Sequence, residues 1–360
     1  MPALLLTGAT GLVGSELLQH LLAARPDRPA NLLTRRRSRL DVWANQPQVA
    51  VLEGDITAPG LGLEASQEAE LQRTLTEIIH CAAETRFGLP LDEARATNVE
   101  GTENVLQFAL GCPRLEKFAH VSTVYVAGRS SGRIPEARLR PGNGFSNTYQ
   151  QSKYEAEERV ARCMSRIPAA IFRLSSIIGD SRTGRVRQFN YVHQILKLFP
   201  RNVLPVAPGD PEAPLDLIPT DWAVSALAYL FESGFAPGRV YQLCAGPERS
   251  LPLREILGLT REVFENHPKA KRWLPIRVPE LVPLPEYQAF VEESRRNGDR
   301  LLNELLRVLD LFLPHLGIFQ AFENTYTMAA LAPSGLELPA IRETYTKVLD
   351  YCLESDWGKT

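Results

Sequence analysis

The sequence predicts an α/β fold, a doubly wound parallel sheet followed by a smaller, mostly helical C-terminal lobe. Three observations predict it. Short apolar runs alternate with stretches of helical spacing through the first half of the chain. A glycine-rich segment, Thr7-Gly8-Ala9-Thr10-Gly11-Leu12-Val13-Gly14, stands between the first apolar run and the first helical stretch. Residues 251–360 then turn mostly helical, broken by prolines at 275, 279, 283 and 285.

The elements follow in order. Ala3–Leu6 is a short apolar run ending near Gly8, as a strand buried on both faces should be. From Ser15 to Ala24, Leu17, Leu18, Leu21 and Leu22 share one helix face. Asn31–Thr34, Val49–Leu52, Glu77–Cys81 and Phe118–Val121 read as the second to fifth strands. Helical stretches at 67–74, 91–110 and 147–165 lie between or after them. Ala169–Phe172 and Val240–Leu243 add two further strands. Strand–helix alternation of this kind implies a parallel sheet covered on both faces. The stretch 185–219 is richer in proline and aromatic residues. The expected division is therefore 1–184 plus 220–250 for the sheet domain and 185–219 plus 251–360 for the second lobe. Arg129–Gly144 reads as an exposed insertion. Leu301–Phe319, the most apolar stretch, is interrupted by Glu304, Arg307, Asp310 and Pro314, so an amphipathic helix is expected and no transmembrane span.

The bulk properties narrow the partners. The chain has 360 residues, a net charge of -2 and 44% apolar residues, enough for a sizeable core. A sequence pI of about 6.4 gives no reason to expect nucleic acid. Five scattered cysteines with no C-x-x-C pair, and six dispersed histidines, predict neither a disulfide scaffold nor a metal site. They suit a reducing, cytoplasmic compartment. Met1 leads directly into the apolar run without a basic segment, so no signal peptide is expected.

The glycines suggest a phosphate cradle of Rossmann type. Gly8 can take the tight turn, Gly11 lets backbone approach a pyrophosphate, and Gly14 lets the helix pack close to the sheet. Thr10, Leu12 and Val13 complete the turn, and the helix N-terminus offers unpaired N–H groups to phosphate. At the end of the second strand an acidic residue would bind a ribose 2′-hydroxyl. The chain instead reads Thr34-Arg35-Arg36-Arg37-Ser38-Arg39. Guanidinium groups match a 2′-phosphate, which selects NADP(H), with Arg35 the first contact and Arg36 the next. A solvated basic turn explains the same run without a ligand. After the third strand, Asp55 can accept from an adenine amino group while Ile56 packs on the ring. A plain strand-end turn accounts for them equally well.

Tyr149 and Lys153 are spaced i, i+4 at the start of a predicted helix and share a face. A nearby ammonium favours the phenolate and should lower the tyrosine pKa. The phenol can then give a proton to a carbonyl oxygen as hydride reaches its carbon. The spacing alone is weak. It gains weight from Ser122 and Thr123 at the end of the fifth strand, where hydroxyl groups can stabilise a developing oxyanion.

With these residues in place, the chain resembles the extended short-chain dehydrogenase/reductases. Thr7–Gly14, His80-Cys81-Ala82-Ala83, Asn98-Val99-Glu100-Gly101-Thr102, His120-Val121-Ser122-Thr123 and Tyr149-x-x-x-Lys153 occur in that family's order over residues 1–250. Within it the chain is similar to the branch of fatty acyl-CoA reductases and thioester reductase domains. The features are Phe87 after Ala83, Asn147 before Tyr149 with Glu155 and Glu157 after Lys153, and the run from Phe172 to Gly184. The resemblance implies Thr123 as the catalytic hydroxyl, chosen over Ser122 by its spacing to Gly128. It implies Tyr149 as the acid and Lys153 as its partner. Ala82 and Ala83 would line the ribose–pyrophosphate path, and Asn98 would help position the lysine through water or backbone. Leu174 and Ser176 would lie in the nicotinamide-side loop, where the family usually has proline in place of Leu174. The implied reaction is NADPH-dependent reduction of an acyl thioester, a small-molecule or carrier-bound substrate, to aldehyde or alcohol. A homodimer is left open. The competing expectations are an NADP-dependent ketone or hydroxyl dehydrogenase, a nucleotide-sugar epimerase or dehydratase, and a non-catalytic NADPH-binding regulator.

Overall fold

The structure, a computed structural model, describes residues 3–359 apart from Ala44, Pro141, Val203, Leu274, Asp299, Leu311 and Phe312. Its centre is a sheet of seven strands: β1 Leu4–Thr7, β2 Ala30–Thr34, β3 Val49–Glu53, β4 Glu77–His80, β5 Lys117–Thr123, β6 Ala169–Leu174 and β7 Val240–Leu243. Their order is β7-β6-β5-β4-β1-β2-β3, and every neighbouring pair is parallel. The chain moves one way from β1 to β2 and β3 and the other way from β4 onward. That reversal between β1 and β4 opens a crevice at the strand C-termini.

The strands read as apolar runs because both faces are covered. Leu4 and Leu6 pack with Leu17, Leu18 and Leu21 of α1 (Leu12–Ala24) and with α7 (Thr220–Glu232). Leu5 points the other way, into a layer with Ile78, Phe118 and Ile171. There it meets α2 (Ala65–Thr74), α4 (Gly101–Leu110) and α5 (Thr148–Cys163). Each such leucine contributes about 2 kcal/mol by leaving water. Ile256 and Phe264 of α8 (Leu253–Asn266) and Tyr345 and Leu349 of α13 (Ile341–Glu354) join the same core as α1 and α7.

Two expectations are corrected and a third is refined. The rod at 91–110 is not one regular helix. It runs from α3 (Leu91–Arg95) through a π turn at Ala96–Glu100 into α4. Arg129–Gly144 is exposed over most of its length, as expected, but it is pinned to the C-terminal part rather than free. Its Gly132–Ile134 strand pairs in parallel with Gln320–Phe322, Ile134 is buried, and Glu136 accepts from the Thr327 backbone N–H at 3.1 Å. Leu301–Phe319 is not one helix but two, α10 (Arg300–Leu309) and α11 (Leu313–Leu316). Leu306, Leu309 and Leu313 form a separate cluster with Val282, Tyr287 and Val291 of the 280–296 segment. No helix among the described residues is long and apolar enough to cross a membrane.

Behind the crevice, α5 is tied to the sheet by a buried ion pair. Arg173 of β6 donates from Nε at 3.0 Å and from Nη2 at 2.8 Å to the two oxygens of Glu157. A third nitrogen, Nη1, donates to the Ala137 carbonyl at 3.0 Å. The two-pronged geometry fixes both the height and the rotation of α5.

Candidate active site

The glycine turn after β1 is closed by contacts that leave no room for side chains. Gly8 has φ +80°, and a Cβ there would lie 2.5 Å from the Ala82 nitrogen. A Cβ on Gly14 would meet the Gly8 carbonyl oxygen at 2.2 Å. Gly11 differs, since the nearest atom to its Cβ position is 3.4 Å away, and it lies on the wall of the cleft. It also caps α1 with no side-chain acceptor, so the first N–H groups of the helix face a ligand unmatched.

A chain of hydrogen bonds holds this turn to β4 and α4. The Thr7 hydroxyl accepts from Ala82 N–H at 3.2 Å and donates to His80 Nδ1 at 2.8 Å. Thr102 spends its proton on the Asn98 carbonyl at 2.6 Å, so His80 Nε2 carries the hydrogen that bridges to Thr102 at 3.0 Å. Burial, assisted by the Lys153 charge, lowers the His80 pKa to about 3 and keeps the ring neutral.

Asn147 caps α5, its side chain accepting from Gln150 N–H at 3.0 Å, so Tyr149 stands in the first turn and Lys153 one turn on. Lys153 is 2% exposed. Its Nζ donates to the Val121 carbonyl at 2.9 Å and faces His120 Nε2 at 3.4 Å. Burial lowers its pKa to about 8, while Glu157 and Cys81 pull it partly back. Tyr149 departs from expectation. Burial raises its pKa, the neighbouring Thr123 hydroxyl offsets part of that rise, and Lys153 is not among the groups acting on it. The phenol is therefore kept protonated by its removal from water. Thr123 accepts from Tyr125 N–H at 3.3 Å. Ser122 is 5% exposed, and its hydroxyl has no partner among the described residues, leaving it available to a ligand.

These groups share one open cleft of about 780 Å³ over the C-terminal edge of the sheet. Of the residues singled out from sequence, Gly8, Gly11, Leu12, Val13, Gly14, Ala83, Ser122, Thr123, Tyr149, Lys153, Leu174 and Ser176 line it. Arg35 and Arg36 stand on the exposed turn after β2, and among the described residues neither they nor Arg37 and Arg39 form ion pairs. Thr10 is exposed beside the turn, and Ala82 supplies the N–H that Thr7 holds. Other residues do not reach the cleft wall. Asp55 turns one carboxylate oxygen onto Thr57 N–H at 2.9 Å, the strand-end role, and Ile56 packs into the core against α4. Asn98, 1% exposed, bonds no atom of Lys153. Its amide instead clamps Glu84, accepting from the backbone N–H at 2.8 Å and donating to the carbonyl at 2.9 Å, and also donates to Ser152 at 2.9 Å. Tyr125, Tyr191 and Gln194 are among the cleft residues that carried no motif of their own in the sequence.

The NAD-binding family described as male sterility protein matches residues 6–227. The chain belongs to this family, within the extended short-chain dehydrogenase/reductases. Among curated members it is similar to a fatty acyl-CoA reductase of Drosophila melanogaster, 26% identical over 270 residues, covering 62% of this chain and 52% of that one. It is also similar to an isonitrile lipopeptide synthase of Streptomyces coeruleorubidus, 31% identical over 220 residues, covering 56% of this chain and 15% of that one. The chain thus spans about half or less of the length of these relatives. Among solved structures it is similar to the terminal R domain from the myxalamid PKS-NRPS pathway, with TM-score 0.81, 26% identity, and coverage of 100% of this chain and 92% of that one. A UDP-glucuronic acid 4-epimerase from Bacillus cereus shares the fold, with TM-score 0.66 at 17% identity and coverage of 99% of each chain. The family's dinucleotide fits this site on structural grounds. The open face of Gly11, the uncapped N-terminus of α1 and the orphaned Ser122 hydroxyl all face the cleft.

The glycines make separate demands. Gly11→Ala keeps the melting temperature within a few degrees but weakens dinucleotide binding by about tenfold or more, because the methyl enters the ligand's path. Gly8→Ala costs about 2 kcal/mol or more of folding stability, since strain and a backbone clash coincide. Thermal denaturation and a fluorescence titration with NADPH distinguish the two. Equal behaviour of both variants contradicts this assignment.

Proposed function

We propose that this chain reduces an acyl thioester with NADPH and releases an aldehyde, which a second turnover can take to the alcohol. The observation that carries the reading is the meeting of Thr123, Tyr149 and Lys153 in the same cleft as the glycine turn. Similarity to a fatty acyl-CoA reductase and to the terminal R domain supports the thioester as substrate.

The nicotinamide, when bound, supplies hydride to the acyl carbon. Tyr149 gives its proton to the acyl oxygen, a role suited to a phenol that burial keeps protonated. Thr123 accepts from Tyr125 N–H and its hydroxyl bonds the Tyr149 phenol, so the two hydroxyls stand side by side and can serve the same oxygen. Lys153 keeps a positive charge behind the phenol at neutral pH and uses its remaining proton on the ribose. Gly8 to Gly14 hold the pyrophosphate, with Thr10, Ala82 and Ala83 beside it. Leu174 and Ser176 border the nicotinamide, and Asn98 acts at a distance by fixing the 84–89 loop. Arg35, then Arg36, neutralise a 2′-phosphate, and the Asp55 carboxylate oxygen that Thr57 does not use can accept from the adenine amino group. The acyl group arrives on coenzyme A or on a carrier protein. The five free thiols suit a reducing compartment such as the cytoplasm.

Two measurements test this reading. Incubation with NADPH and a panel of acyl-CoAs and acyl-pantetheines should show thioester-dependent loss of nicotinamide absorbance. Tyr149→Phe should cut that rate by about 10²–10⁴-fold, with NADPH affinity nearly unchanged. No oxidation on any thioester overturns the proposal. Arg35→Ala should weaken NADPH by roughly tenfold or more and leave NADH nearly unaffected, as loss of a charge-assisted bond to phosphate requires. Equal losses for both cofactors contradict the 2′-phosphate assignment.

A further inference from the structure

An ammonium taken out of water needs a partner for each proton it carries. Lys153 brings three N–H groups and no acceptor. One donates to the Val121 carbonyl at 2.9 Å, and a second meets His120 Nε2 at 3.4 Å. Both acceptors belong to β5, whereas the lysine belongs to α5. With two of its directions taken, a tetrahedral ammonium has only one left for its third N–H. Lys153 lines the cleft, so that direction is the one open to a ligand.

The same contact decides the state of the imidazole. An ammonium can only donate, so Nε2 offers its lone pair and the proton of the neutral ring sits on Nδ1. That nitrogen is buried and has no partner among the described residues. His80 is paired with His120 across β4 and β5, its ring 5.3 Å away at a tilt of 39°. It offers no acceptor, since its Nδ1 is bonded to Thr7 and its Nε2 hydrogen goes to Thr102. Two adjacent histidines thus stand in opposite tautomers. An unmade hydrogen bond in the interior is costly, and here it accompanies the one orientation that serves the lysine.

The family resemblance implies Asn98 as the support of this lysine, but its amide is engaged elsewhere. The oxygen accepts from Glu84 N–H, and the nitrogen donates to the Glu84 carbonyl and to Ser152. We propose that His120 takes that part: as a neutral Nδ1–H imidazole it is the positioning residue that holds the Lys153 ammonium against the Val121 carbonyl, with the third N–H turned into the cleft. This inference rests on the reductase reading above, in which that proton goes to the ribose. The other titratable groups acting on Lys153 are Glu157 from its own helix and Cys81 from the end of β4, and those acting on His120 are Lys153 and His80. Burial keeps both imidazoles uncharged and pushes the Cys81 thiol up to about 11. Burial also brings Lys153 down to about 8, so a loss of activity just above neutral pH belongs to the lysine.

Two variants separate the two ring nitrogens. The side-chain oxygen of glutamine reaches the Nε2 position, whereas that of asparagine reaches only the Nδ1 position. The reaction needs the ammonium, so kcat/KM on an acyl-pantetheine falls as pH rises through the lysine's titration. Without its neutral acceptor the ammonium gives up its proton sooner. His120→Asn should therefore move this basic limb about one pH unit lower, and His120→Gln should keep it where the wild type has it. Asn98→Ala should lower kcat/KM through the 84–89 loop and leave the limb in place. A limb unmoved in His120→Asn, moved equally in both His120 variants, or moved as far by Asn98→Ala overturns the inference. The wild-type protein gives a second readout that needs neither variant activity nor substrate. Magnetic resonance of protein labelled with a nitrogen isotope in histidine should show His120 protonated at Nδ1 and bare at Nε2, its signal identified by its loss in His120→Gln. The reverse tautomer or a charged ring overturns the inference. A wild-type enzyme inactive on every thioester overturns the reading beneath, and the imidazole signal then still decides this one.

Discussion

A buried ammonium sets the terms for the rest of this site. Lys153 is almost wholly removed from water, and taking such a charge out of solvent costs several kcal/mol even after relaxation. Only a fixed set of partners offsets that cost. The Val121 carbonyl lies at 2.9 Å, neutral His120 at 3.4 Å, and the Glu157 charge acts from one turn further along α5. Glu157 in turn is held by Arg173 on the adjacent strand. The line from guanidinium to carboxylate to ammonium works only with α5 seated in one position across β5 and β6. Tyr149, on the same helix, is placed by that seating together with the Phe87 ring stacked on it and the Thr123 hydroxyl.

The remaining parts of the cleft are positioned against this fixed helix. From the β4 side, the Thr7–His80–Thr102 chain joins the glycine turn to α4, so the cradle and the catalytic helix share one rigid base. The π turn at Ala96–Glu100 carries Asn98, whose amide pins the loop that carries Phe87. From the other side, α6 (Tyr191–Leu198) and the Ser176 strand bring in Tyr191 and its hydroxyl partners. The cleft is therefore tied to fixed partners around Lys153 and is assembled from separate segments on the side of Tyr191. That division suits a scaffold on which substrate range varies while the proton-transfer chemistry stays the same.

Much of this was legible in the sequence, because the signals were local. Apolar runs punctuated by glycine marked the strands of the sheet, and the leucine stripe from 17 to 22 marked α1. The glycine turn and the Tyr149–Lys153 spacing are short-range patterns, and each lands in the cleft. What stayed hidden depends on contacts between distant segments. The pairing of Gly132–Ile134 with Gln320–Phe322 buries Ile134 within a stretch whose arginines remain exposed. A single π turn leaves the apolar period of a long helix almost unchanged, so the rod at 91–110 read as regular. Lys153 suggested an acidic Tyr149, but the burial that raises its pKa comes from segments far apart in the chain. Tyr125 and Tyr191 were lone tyrosines until the fold brought them together.

The central claim is that hydride passes from the dinucleotide in this cleft to the carbon of an acyl thioester. The most direct measurement is a single turnover with NADPH carrying deuterium at C4 of the nicotinamide, prepared separately in each of its two stereochemical forms, with an acyl-pantetheine as substrate and the aldehyde trapped as an oxime. One of the two forms should deliver its deuterium to the aldehyde carbon and the other should retain it in the oxidised cofactor. Aldehyde free of label from both forms, or label appearing from both alike, would contradict the account.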